Sequence, residues 1–205
     1  MGLLSSSSAV VRYRVEGRVP DPFIDTVRGS LKRDTIQEID KDPCEKICGW
    51  TSFQTPFAPQ FDDSSFIVGE YLVFSFRVDT KKIPSKVVKK NCEIEIAKKL
   101  ADTGREFLSK NEKKEIKERV KDVLLLRMPA TPSQYDVVWH YEHAWLWFFS
   151  SSRSAIEEFE SQFLRSFGLR LIRMFPFTLG DLSAGLSDDE RDRLQKITYT
   201  GLTVS

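Results

Sequence analysis

Lys81, Lys82, Lys86, Lys89 and Lys90 fall within ten consecutive positions, all ahead of the next acid, Glu93. Ammonium groups at this density suit phosphate neutralisation, because each phosphate contacted releases condensed counterions. Residues 81–127 hold 15 of the chain's 31 Lys and Arg but eight of its 30 Asp and Glu, while the whole chain carries only +1. Charge confined to one segment suits meeting a polyanion locally rather than general stickiness. Lys98, Lys99, Lys113, Lys117 and Arg127 complete the candidate phosphate-contact set.

Other chemistries have weaker signals. Cys44, Cys48, His140 and His143 could supply a tetrahedral zinc site, but C-x3-C and H-x2-H miss the common finger spacings and the pairs lie far apart in the chain. Asp62-Asp63 and Asp188-Asp189-Glu190 are the acidic clusters a metal-dependent nuclease would need to bring together. One sits in a loop and the other at an expected helix start, where carboxylates favour the helix dipole. No GxxxxGK[ST], GxGxxG or GxSxG stretch occurs. Trp145, Trp147 and Phe149 alternate along an expected strand and could stack on bases. Leu146 and Phe148 make its other side equally apolar, so a buried strand is the favoured reading.

The elements that must position these residues read clearly in places. Residues 10–16 alternate as a half-buried strand. Asp21-Pro22 opens a helix carrying Phe23, Val27 and Leu31, with Asp21 as its expected N-cap. Strands are expected near 47–53 and over 66–78, with a break at Gly69-Glu70. Ser85 begins a helix with an apolar row of Val88, Cys92, Ile96 and Leu100, ending at Thr103-Gly104. Ser109 and Glu112 have capping-box spacing and open a second helix carrying Ile116, Val120, Val123 and Leu124. Two amphipathic helices joined by a short link predict an antiparallel hairpin. The second is charge-balanced, since Glu112, Glu115 and Glu118 interleave with its lysines. A β-hairpin turning at 141–143, a helix over 152–167 stopped by Gly168, a strand over 169–175 and a short helix over 187–197 follow.

At 205 residues, 40% hydrophobic and 30% charged, with 15 Phe and 4 Trp, the chain suits a globular protein. No apolar run is long enough to span a bilayer, and no secretory leader is evident. Three Cys point to a reducing compartment without a disulfide framework. Met1-Gly2 with Ser6 fits the loose myristoylation pattern, although a polar frayed start accounts for it.

Several ordered stretches resemble the RdgC family of recombination-associated DNA-binding proteins. They begin with the Tyr13-Arg14 strand and Gly49-Trp50. Lys81-Lys82-Ile83-Pro84-Ser85 is similar to the family's Lys-Ile-Leu-Pro stretch. Val87-Val88, Ile96-Ala97-Lys98, Asn111-Glu112-Lys113, Ile116-Lys117 and Val120 follow in order. Leu124-Leu125-Leu126-Arg127 resembles the family's Leu-Leu-Pro-Arg-Ala-Phe motif, with Trp139 beyond it and Ala155, Glu158, Leu169 and Pro176 in the final helix and strand. The likeness covers residues 10–180. It implies a non-enzymatic protein that binds double-stranded DNA with little sequence preference, forms a ring-shaped homodimer and restrains RecA-promoted strand exchange. Arg127 matches the motif's Arg, and Lys82, Lys89, Lys98 and Lys117 fall in the matching basic helices. Pro129 stands where the motif has its aromatic. The chain also lacks about the last third of the longer members, so an open clamp or smaller ring is the expectation.

The resulting expectation is an α+β protein: antiparallel sheets from βαββ and ββαβ halves, with an inserted basic helical hairpin. The boundaries are 1–80, 81–128 and 129–205, the last half packed with the first. The function expected is duplex-DNA binding in a cytoplasmic, nucleoid-associated homodimer that modulates RecA-type recombination, with no cofactor, metal or membrane. The alternatives are a metal-dependent exonuclease, a protein–protein adaptor dimerising through the hairpin, and single-strand binding.

Overall fold

Alternation along the strands decides which side of the sheet is buried. In the computed structural model, which describes residues 2–62, 64–183 and 185–196, strand β4 (Tyr71–Thr80) turns Leu72, Phe74, Phe76 and Val78 to one face. Val73, Ser75, Arg77 and Asp79 take the other, as a period of two requires. β4 pairs over its full length with β5 (Thr131–His140), from Tyr71 opposite His140 to Thr80 opposite Thr131.

Around this pair the remaining strands are β1 (Val11–Glu16), β2 (Lys46–Thr51), β3 (Ile67–Val68), β6 (Trp145–Phe148) and β7 (Arg170–Arg173). They form one seven-stranded sheet in the order β2-β4-β5-β6-β1-β7, with β3 folded back on β4, and all the strand pairings are antiparallel. This corrects the expectation of separate sheets. β1, from the start of the chain, inserts between β6 and β7, so strands from both halves satisfy each other's backbone amides and share one core.

Helices α1 (Phe23–Arg33) and α4 (Arg153–Phe167) supply that core from one side of the sheet. Val27 and Leu31 of α1 and Phe159 and Phe163 of α4 are fully buried with Tyr13, Trp50, Phe74 and Leu146. Phe159 stacks on Phe148 with ring centroids 4.1 Å apart. Trp50 donates its indole N–H to Ser166 Oγ at 2.8 Å, so this fully buried ring leaves no polar atom unpaired. Gly49 lets β2 press against the chain leaving α1: a Cβ there would lie 2.7 Å from Ile36 Cα. The contact is fixed by Trp50 donating to Asp34 O and Ile36 donating to Trp50 O, each at 3.0 Å.

Two local expectations change. Pro22, not Asp21, occupies the α1 N-cap position and no side chain caps it. A helix, α5 (Pro176–Ser183), follows the last strand, and its weakly patterned PFTLGDLS sequence had offered no sign of it. Helix α6 (Asp188–Lys196) is opened by Ser187 and Glu190, whereas Ile197 lies outside the described residues.

Candidate nucleic-acid interface

Helices α2 (Ser85–Thr103) and α3 (Lys110–Leu125) leave the sheet where β4 ends and β5 begins, at the Thr80 and Thr131 end. Gly104, with φ of 62°, stops α2 in the left-handed conformation. Ser109 accepts from the Glu112 amide, and Glu112 accepts from the Ser109 amide at 2.9 Å. That second bond, with Arg105 beside it, holds the Glu112 carboxyl down to about 2. Leu108, Ile116 and Val120 pack with Cys92, Ile96, Leu100 and Leu124 to close the two helices together.

The candidate basic residues separate into four groups. Lys81 is only 3% exposed and does not reach solvent. Its ammonium donates to the carbonyls of Asp40, Asp42 and Leu125 at 3.1, 2.9 and 3.0 Å. Its place in the expected phosphate-contact set is therefore corrected. A buried ammonium with three carbonyl partners ties the hairpin to the sheet, and freeing it would take the donor from Asp40 O and Asp42 O while Leu125 O kept only the Met128 amide.

The second group gathers on one side of the hairpin. Lys86 and Lys89 of α2 and Lys117 and Lys121 of α3 edge a cavity of about 590 Å³ floored by Ile83, Val88 and Cys92. Lys113, Lys117 and Lys121 repeat every four residues, so they share one face of α3. Lys121 was not among the expected residues, although that spacing could have revealed it. It reaches Glu45 at 3.4 Å, and Lys89 lies 3.9 Å from Glu93. Lys82, Lys86, Lys90, Lys113 and Lys117 are exposed and have no carboxylate within 4.0 Å among the described residues.

The third group lies on the opposite side. Lys98, Arg119 and Arg127 line a groove of about 340 Å³ with Ile94 and Val123. Glu95 bridges Lys98 at 3.0 Å and Arg119 at 3.2 Å, which lowers its own pKa, mainly through the Lys98 hydrogen bond. Arg119 is a further residue that the linear sequence did not single out. Lys99 stands alone as the fourth, directed at Glu112 at 3.5 Å.

The other chemical candidates do not assemble. Cys48 pairs opposite Val78 while His140 pairs opposite Tyr71, seven residues along the same strand and about 23 Å away. Among the described residues no three His, Cys, Asp or Glu side chains come together as a metal site. Asp62 pairs with Lys32, whose hydrogen bond lowers the carboxyl pKa. Asp63 lies outside the described residues. Glu190 accepts from the amide and hydroxyl of Ser187 at the start of α6, and Asp188 meets Arg191 at 3.5 Å. The expected burial of Trp145 and Trp147 is also corrected. Leu146 and Phe148 enter the core, but the two tryptophans are only half-buried, on the sheet face away from α1 and α4.

Fold and site define a mixed α/β protein whose antiparallel sheet carries a cationic helical hairpin. A family model described as "Putative exonuclease, RdgC" matches residues 9–179. The chain belongs to this RdgC family of recombination-associated proteins. No curated protein matches the chain. No helix among the described residues is long and apolar enough to cross a membrane.

Proposed function

We propose that this RdgC-family chain binds double-stranded DNA with little sequence preference, through phosphate contacts made by the hairpin. The carrying observation is the convergence of Lys86 and Lys89 from one helix with Lys117 and Lys121 from the other on a single side. Lys82, Lys90 and Lys113 extend the positive surface around that rim. A lysine is a point charge on a flexible stem, suited to tracking a backbone rather than reading base edges.

The same reading includes assembly as a dimeric clamp or ring that modulates RecA-type recombination. The side of the hairpin opposite the lysine rim supports it. Ile94 and Val123 are each 43% exposed there among Lys98, Arg119 and Glu95, and burying these two side chains against a second copy would remove them from water. On this reading the βαββ and ββαβ halves act as a scaffold for the hairpin, and no nuclease chemistry is involved.

Electrophoretic mobility shift with duplex and single-stranded DNA, with and without magnesium, tests the proposal. Retarded duplex that survives intact supports it. Dimerisation by light scattering without duplex affinity at low salt would leave the adaptor reading instead. Loss of linear DNA only in magnesium would favour the exonuclease.

A further inference from the structure

The sheet has a second face that α1 and α4 do not cover, and its chemistry differs from that of the hairpin. Register puts Arg12 directly opposite Trp147, and Arg14 directly opposite Trp145. Both arginines point away from the core, because Tyr13 and Val15 between and beyond them point into it. Arg14 lies 5.7 Å from the Trp145 ring centre and donates to His143 O at 2.7 Å. Arg12 is exposed and has no hydrogen-bonding or carboxylate partner among the described residues. Tyr71, 38% exposed, brings its ring to 6.3 Å from Trp147. Glu70 lies 3.2 Å from His140, and Glu16 sits opposite Arg170 in the β1–β7 register.

We propose that this arginine–tryptophan face binds an unpaired nucleic-acid strand, at a site separate from the hairpin lysines. Trp147 and Tyr71 offer flat rings to bases, and Arg12 and Arg14, about 7 Å apart along one strand, offer guanidinium groups to phosphates. An intact duplex cannot use such rings, because its bases are stacked on each other with their faces hidden. The complementary partner is an anionic polymer with exposed ring faces.

Fluorescence anisotropy of labelled fifteen-residue oligo-dT and oligo-rU at low salt, using the full chain, tests this site. Binding of either strand, with quenched tryptophan emission, is the expected result. Arg12→Glu and Trp147→Leu should each weaken it by roughly ten-fold or more. The double variant Lys86→Glu/Lys117→Glu should lose duplex affinity while retaining the single strand. If Trp147→Leu fails to fold, the exposed Arg12→Glu carries the test. The proposal is overturned if neither oligonucleotide binds. It is equally overturned if Arg12→Glu leaves the affinity unchanged, or if single-strand binding disappears with the hairpin variant. Those outcomes are distinct from failure of duplex binding, which the duplex arm reads on its own.

Discussion

The ammonium of Lys81 donates to the carbonyl oxygen of Leu125 at 3.0 Å, fastening the end of α3 to the segment that leads into α2. The same ammonium holds Asp40 and Asp42, so one side chain joins an early loop to both ends of the hairpin. Replacing Lys81 with Met keeps the stem but leaves the carbonyls of Asp40 and Asp42 without their donor and that of Leu125 with the Met128 amide alone. A loss of about 2–3 kcal/mol is expected by urea denaturation, given the usual cost of hydrogen bonds to a charged group. Duplex affinity should be unchanged below the unfolding range, whereas a phosphate-contact role would weaken binding without lowering stability.

Charge reversal at the lysine rim should act in the opposite way. Lys86→Glu, Lys117→Glu and their combination should leave the melting temperature nearly unchanged, since both side chains are exposed. Duplex affinity should fall, and the slope of log affinity against log salt should flatten by about one for each phosphate contact removed. A salt titration by filter binding measures both, and a slope identical to that of the unsubstituted protein would exclude these lysines.

Ser109→Ala should destabilise the hairpin by about 1 kcal/mol, read from thermal denaturation, by removing the side-chain half of the capping box. Glu112 adds a pH signature. Its folded-state pKa is depressed to about 2, so its contribution is fully present above the ordinary glutamate range and lost as pH falls towards 2. Glu112→Gln should remove that part of the acid dependence. Equal loss of stability in both proteins between pH 5 and 2 would show that the cap carries no such linkage.

Gly49→Ala should cost about 1–3 kcal/mol, because the added methyl would meet backbone at 2.7 Å from Ile36 Cα and 2.9 Å from Asp34 O. Backbone cannot swing aside as a flexible side-chain tip can. The bonds between Trp50 and residues 34–36 would have to lengthen, and amide exchange at Trp50 and Ile36 should accelerate first.

Phe159→Ala should be more damaging, at about 3–5 kcal/mol in chemical denaturation, since it empties a fully buried site stacked on Phe148.

Features with short-range causes were legible in the sequence. Ser109 with Glu112, and glycines at 104 and 168, carry their cap chemistry within a few residues, so the helix ends could be read directly. The alternation of Tyr13 and Val15 with Arg12 and Arg14 needed no partner strand. The position of β1 between β6 and β7 rests on pairings more than 130 residues apart, which no local pattern encodes. Lys81 shows the same limit within the candidate site. It stands in a run of similar lysines, and only the approach of Asp40, Asp42 and Leu125 separates it from Lys82. Trp145 and Trp147 misled for a related reason. Apolar residues on both sides of a strand signal burial only if a second layer covers the sheet, and no helix of the core does so there.

The placement of β1 also governs when the molecule can fold. On the ribosome β1 has neither of its neighbours until residues 145–173 have emerged, so it must wait while more than 130 further residues are made. The hairpin of α2 and α3, built from local contacts, can close long before then, whereas the non-local pairing of β1 sets a slow final step. A nascent chain halted before β6 would expose the apolar side of β1 and hold a finished cationic hairpin on an unfinished sheet, which makes the last strands the gate between synthesis and a competent protein.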